Sequence, residues 1–135
     1  MDDDGRFPWS RIDGPDPPEE AYSRVSDPER YLSLHAVADD LVTALVAEGT
    51  VEAGAVEVEG RWRGGVLRAV ELRPLAGGGT PVTVITTGFG VVVRGGTARE
   101  RGFPVCGCDA CDESPGYLAD ELGTVLRALV GGPDR

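Results

Sequence analysis

Cys106, Cys108 and Cys111 are the residues whose types and spacing point most directly to chemistry. They are the only cysteines in the chain, and they form one C-x-C-x-x-C run inside the stretch Phe103-Pro104-Val105-Cys106-Gly107-Cys108-Asp109-Ala110-Cys111-Asp112-Glu113. Three thiols this close in sequence converge only if the backbone curls tightly, and Gly107 permits the angles such a curl needs. Convergent thiolates repel one another unless a cation lies between them, and zinc takes sulfur ligands tetrahedrally. A structural zinc site uses four donors, so the run implies one more. His35 is the candidate from elsewhere in the chain, and Asp109, Asp112 and Glu113 offer carboxylates within the stretch. The expected metal set is Cys106, Cys108, Cys111 and His35, with zinc as the cofactor. Two other readings compete: small half-buried cysteines filling a turn, and a redox pair of Cys108 with Cys111 beside the positive end of the following helix. The acids around the thiols and the lack of a thioredoxin-like βαβ context weaken the redox reading.

What the chain lacks narrows the chemistry further. All 13 positive charges are arginine, which removes Schiff-base lysines and phosphate-loop lysines from consideration. His35 is the single histidine, so any Ser/His or Cys/His pair has to use it. No catalytic residue is assigned on this basis. The expected function is a non-enzymatic module that binds a protein partner through a cysteine-rich, zinc-holding loop. The alternative is a small thiol- or zinc-dependent enzyme using the same cluster.

The net charge of -10 hides an asymmetry. Between Gly60 and Gly102, seven arginines stand against Glu71 and Glu100 only, whereas the rest of the chain carries six arginines and 21 acids. An acidic frame around a basic centre is either a surface that neutralises itself or a site for an anion or a partner. Nucleic acid is disfavoured, because the overall field repels phosphates. No apolar run is long enough to span a bilayer, and the acidic start Met1-Asp2-Asp3-Asp4 has no signal-peptide character. The cytoplasm, where thiols stay reduced, is the expected location.

A scaffold must present the cysteines. A chain of 135 residues with 41% hydrophobic side chains fits one modest core. Residues 1–21 read as an acidic, proline-rich, flexible tail, 22–131 as a single domain and 132–135 as a short end. Phe7-Pro8-Trp9 is the one sticky element of the tail, suited to docking on the domain itself or on a partner. Asp27-Pro28 marks a helix start, after which Tyr31, Leu34, Val37, Ala38, Leu41 and Leu45 recur at helical spacing until Gly49. His35 falls beside that apolar stripe, as a half-buried boundary residue does. Ala55 to Glu59 alternate as a strand, and a turn at 60–65 leads to a returning strand over Val66 to Arg73, which Pro74 and Gly77-Gly78-Gly79 end. Val82 to Thr86 and Phe89 to Val93 follow as a hairpin. Val91-Val92-Val93 reads as a central strand covered on both sides. Arg99-Glu100-Arg101 reads as a basic linker. Ser114-Pro115 opens a last helix carrying Leu118, Leu122, Val125, Leu126 and Leu129 on one face, closed by Gly131-Gly132-Pro133. The fold class is α+β: an antiparallel meander of about four strands, with both helices on one face of the sheet.

Three segments carry a resemblance: 21–30, 34–39 and 103–113, the last containing Cys106-Gly107-Cys108-Asp109-Ala110-Cys111-Asp112-Glu113. Over roughly residues 21 to 130 the chain resembles a family of small actinobacterial proteins classed as a domain of unknown function. The resemblance implies a soluble bacterial protein and carries over no catalytic residue.

Overall fold

Pro28 opens a 3-10 turn, Pro28–Leu32, which runs directly into helix α1, Ser33–Ala47. This is seen in a computed structural model that describes residues 7, 14–26, 28–75, 80–95, 99–106, 108 and 111–131. Asp27, the expected cap, lies outside the described residues, as do Pro8, Trp9, Gly77-Gly78-Gly79, Gly107, Asp109 and Gly132-Pro133. Helix α1 stops where expected: Gly49 adopts φ +77, with Gly49 N–H bonded to Val46 O at 3.0 Å and Thr50 N–H to Leu45 O at 3.1 Å. That left-handed turn satisfies the last helical carbonyls and favours glycine.

Five strands follow: β1 Val51–Ala55, β2 Val66–Pro74, β3 Val82–Thr87, β4 Val91–Gly95 and β5 Arg99–Phe103. They pair in sequence order, each antiparallel to the next. Helix α2, Pro115–Val130, closes the chain, and Ser114 caps it by accepting from Tyr117 N–H at 3.1 Å. The α+β class and the meander are as the sequence indicates. The sheet has five strands where about four are expected, and two stretches of the chain differ from their expected assignment.

The first is the alternating stretch 55–59. Pairing with β2 ends where Val56 N–H meets Ala69 O, and the chain then crosses the outer face of the sheet. Val56, Val58 and Trp62 pack there on Ala69, Ile85 and Val92. The period of two is real, but it seats side chains against a sheet face instead of joining a strand ladder. The second is Arg99-Glu100-Arg101, which is the edge strand β5 and not a linker. Charged residues suit an exposed edge. Arg101 reaches Glu121 of α2, while Glu100 turns to the outer face and accepts from Trp62 Nε1.

The main core lies between the helices and the other face. Leu34, Ala38 and Leu45 of α1 and Leu118, Leu122, Leu126 and Val130 of α2 pack with Val51, Leu72, Val82, Val84, Val91, Val93 and Phe103. Burying each such aliphatic side chain stabilises the fold by about 1.5–3 kcal/mol. Val91 and Val93 face the helices and Val92 faces the Trp62 layer, so β4 is covered on both sides as its sequence implies.

One turn in this layer tolerates no side chain. Gly64 has φ +79, and a Cβ placed there would lie 2.5 Å from the backbone carbon of Gly88. Gly64→Ala combines strained backbone with a clash against main chain that has little room to move. A loss of about 2–4 kcal/mol in urea-induced unfolding is the expected outcome.

Candidate metal centre

β5 delivers the cysteine stretch and α2 receives it. The Sγ atoms of Cys106, Cys108 and Cys111 lie within 4.8 Å of one another. Zinc–sulfur bonds of about 2.3 Å at tetrahedral angles place sulfurs about 3.8 Å apart, so a cluster of this size could hold an ion after closing by roughly 1 Å. None of the three is in a disulfide, and Cys108 is buried, Cys106 half-buried and Cys111 exposed. Cys108 anchors the curl: its Sγ accepts from Cys111 N–H at 3.5 Å and its carbonyl accepts from Asp112 N–H at 3.0 Å.

The acids beside the cysteines hold the loop in shape. The Glu113 carboxylate accepts from Val105 N–H at 2.9 Å and from Cys106 N–H at 2.8 Å. Its backbone carbonyl accepts from Tyr31 Oη at 2.8 Å and from Arg30 Nη2. Asp112 sits at φ +45 with its side chain sealed from solvent; Oδ1 lies 3.0 Å from Arg30 Nη1, and Oδ2 accepts from Phe7 N–H at 2.9 Å. Arg63 Nη1 donates to the Cys106 carbonyl at 3.2 Å. Charge-assisted bonds of this kind are roughly twice as strong as neutral ones, and here they fix both flanks of the thiol cluster.

The structure therefore divides the expected ligands. The three cysteines are brought together, and among the described residues no other His, Cys, Asp or Glu joins their group. His35 is placed elsewhere. Helix α1 seats it against the β3–β4 hairpin, where Nε2 lies 2.7 Å from the Thr87 carbonyl. Asp112 and Glu113 are occupied by Arg30 and by backbone amides, and Asp109 lies outside the described residues.

The local electrostatics favour the proton on Cys111 in the metal-free cluster. Partial desolvation, with the neighbouring Cys108 and Cys106 adding to it, pushes the Cys111 thiol up to about 12. A cation between the sulfurs reverses this preference, because bound thiols lose their protons. Tyr31 is also pushed up to about 12, chiefly by burial, and so stays a neutral donor to Glu113 across the physiological range.

A family model described as a family of unknown function (DUF6226) matches residues 1–134. The chain belongs to this family. The match takes in the first 20 residues, which the resemblance in the sequence leaves aside, and Phe7 from that segment touches Asp112. No curated protein and no solved structure matches the chain. No described helix is long and apolar enough to cross a membrane. The DUF6226 description assigns no activity, so the chemistry of the site rests on its geometry.

Arg30, Tyr31 and Arg63 are loop-holding residues that sequence reasoning passes over. Tyr31 reads as one more member of an apolar stripe, and its hydroxyl partner is 82 positions away in the chain. Arg30 stands inside segment 21–30, one of the three that carry the family resemblance, which is the one signal that could have drawn attention to it.

Proposed function

We propose that the protein is a binding module whose loop, residues 104–113, holds one zinc ion through Cys106, Cys108 and Cys111 and offers a shaped surface to a protein partner in the cytoplasm. One observation carries the reading: three cysteine sulfurs within 4.8 Å of one another, in a loop whose acids hold the backbone. Sulfur donors select zinc over harder divalent cations. Exposed Val105 within the loop and exposed Tyr117 just after it supply an apolar rim for a partner. The thiol-enzyme alternative is weakened at Cys111, whose raised pKa leaves little nucleophilic thiolate near neutral pH.

Metal analysis of protein purified without an affinity tag tests the metal half, and about one equivalent of zinc is expected. Less than about a tenth of an equivalent, even after incubation with zinc, would remove it. The pH dependence has a definite sign. Cys111 is protonated at neutral pH without metal and must be a thiolate in the complex, so zinc binding releases its proton. Apparent affinity then rises with pH, by about tenfold per unit for each proton released. Titration in two buffers of different ionisation enthalpy measures that release. Binding that neither releases protons nor weakens on acidification would mean that Cys111 is not a ligand.

A further inference from the structure

Six of the seven arginines of the basic segment have described side chains, and these six fall into two groups. Arg68 pairs with Asp39, Arg73 with Glu52 and Glu71, Arg94 with Glu100 and Arg101 with Glu121. Arg61 and Arg63 have no carboxylate partner among the described residues. Both line one groove of about 280 Å³, together with Trp62, Phe89, Pro104 and Cys106. Self-neutralisation thus accounts for four of these six arginines, and the other two meet at this groove.

The Arg63 head is held before any ligand arrives. Its guanidinium lies over the Phe89 ring, 4.5 Å from the centroid, and Nη1 is fixed on the Cys106 carbonyl at 3.2 Å. A planar fork held in this way loses little freedom when it takes up an oxyanion, and its remaining N–H groups have no partner among the described residues. Arg61 adds a second positive charge at the same opening. Trp62, Phe89 and Pro104 supply apolar wall, and the volume lies at the small end of ligand cavities, enough for about one ring.

We propose that this groove is a binding site for a small aromatic anion: one ring bearing a carboxylate or a phosphate, with the ring against the apolar wall and the oxyanion on Arg61 and Arg63. The site borders the thiol cluster at Cys106 but takes its ligand on the two arginines and requires no metal. Arg63 joins the two through the Cys106 carbonyl, so a ligand on Arg63 also bears on the loop.

The test is calorimetric titration of the full chain with benzoate, phenyl phosphate and inorganic phosphate, before and after chelation. The expected result is one site per chain, with a ring-bearing anion bound at least tenfold more tightly than inorganic phosphate. The tighter of the two ring compounds identifies the preferred head group. Arg61→Ala/Arg63→Ala should weaken that binding at least tenfold, and Arg68→Ala, whose partner is Asp39, should leave it unchanged. Arg61 is exposed and makes no described contact, so Arg61→Ala alone retains the fold and should weaken binding at least threefold. Equal affinity for inorganic phosphate, unchanged binding in the double variant or in Arg61→Ala, or loss of binding on chelation each overturns the proposal, the last by moving the ligand to the metal.

Discussion

Arg30→Met is expected to lower unfolding stability by about 3–5 kcal/mol, a large share of what a domain of this size has. Asp112 is the reason. Its side chain has no solvent exposure, Arg30 has 12%, and the two meet at 3.0 Å under the cysteine loop. Once the guanidinium is gone, the carboxylate has lost its Arg30 ion pair inside a sealed site, and the neutral Phe7 amide makes up little of that loss. The penalty is for the stranded charge, and the pair itself contributes much less than that penalty. The double variant Arg30→Met/Asp112→Asn is therefore expected to recover about half of the loss or more, since asparagine tolerates the left-handed backbone at 112 and carries no charge. Urea titration of the four proteins forms the cycle. If Arg30→Met costs under about 1 kcal/mol, or the double variant is the sum of its singles, the buried pair does not organise the loop.

That pair also shows where sequence reading stops. Elements with a strong local period are legible: the stripe from Leu34 to Leu45, the stripe from Leu118 to Leu129, and the doubly apolar Val91-Val92-Val93. Elements defined by what covers them are not. Val56 and Val58 alternate as a strand would, yet Trp62 and the outer face of β3 and β4 claim them. Arg99-Glu100-Arg101 has the composition of a linker, and only the pairing of Val91 with Phe103 and Arg94 with Glu100 makes it a strand.

The same limit applies at the site. The spacing of three cysteines forecasts their convergence, because a six-residue run with a glycine brings its own ends together. The roles of the acids depend on distant residues. Asp112 and Glu113 have the chemistry of zinc ligands, and nothing local announces that Arg30, from the turn before α1, and the amides of Val105 and Cys106 hold them instead. His35 is similar, for its donor geometry suits a metal until the hairpin places the Thr87 carbonyl 2.7 Å from its ring. Arg61 and Arg63 are indistinguishable in the sequence from the four arginines that pair with acids.

Cys111→Ser is expected to abolish zinc retention, reducing about one equivalent to under a tenth and weakening affinity by at least a hundredfold. Serine replaces a polarisable sulfur with an oxygen that does not ionise near neutral pH, and its shorter bond holds the donor farther from the cluster centre. The position is chosen because Cys111 is exposed, so the change costs the metal-free protein little packing. That separates loss of metal from loss of fold, which Cys108→Ser at a buried position would confuse. Stability should follow the same division. For the parent chain, free zinc at about a thousand times its dissociation constant adds about 4 kcal/mol. For Cys111→Ser that increment should vanish, while both chelated proteins unfold within about 0.5 kcal/mol of each other. Chelation should not unfold the sheet, because the core of Leu122, Leu126, Val91 and Phe103 and the bonds from Glu113, Arg30 and Tyr31 are made without metal. Hydrogen exchange should accordingly speed up in the loop, residues 104–113, and stay slow in β3 and β4. A variant that keeps both its zinc and its thermal shift would place the metal on Cys106 and Cys108 with other donors. A parent chain whose sheet unravels on chelation would make the ion a part of the fold, and the loop would no longer be a module fastened onto it.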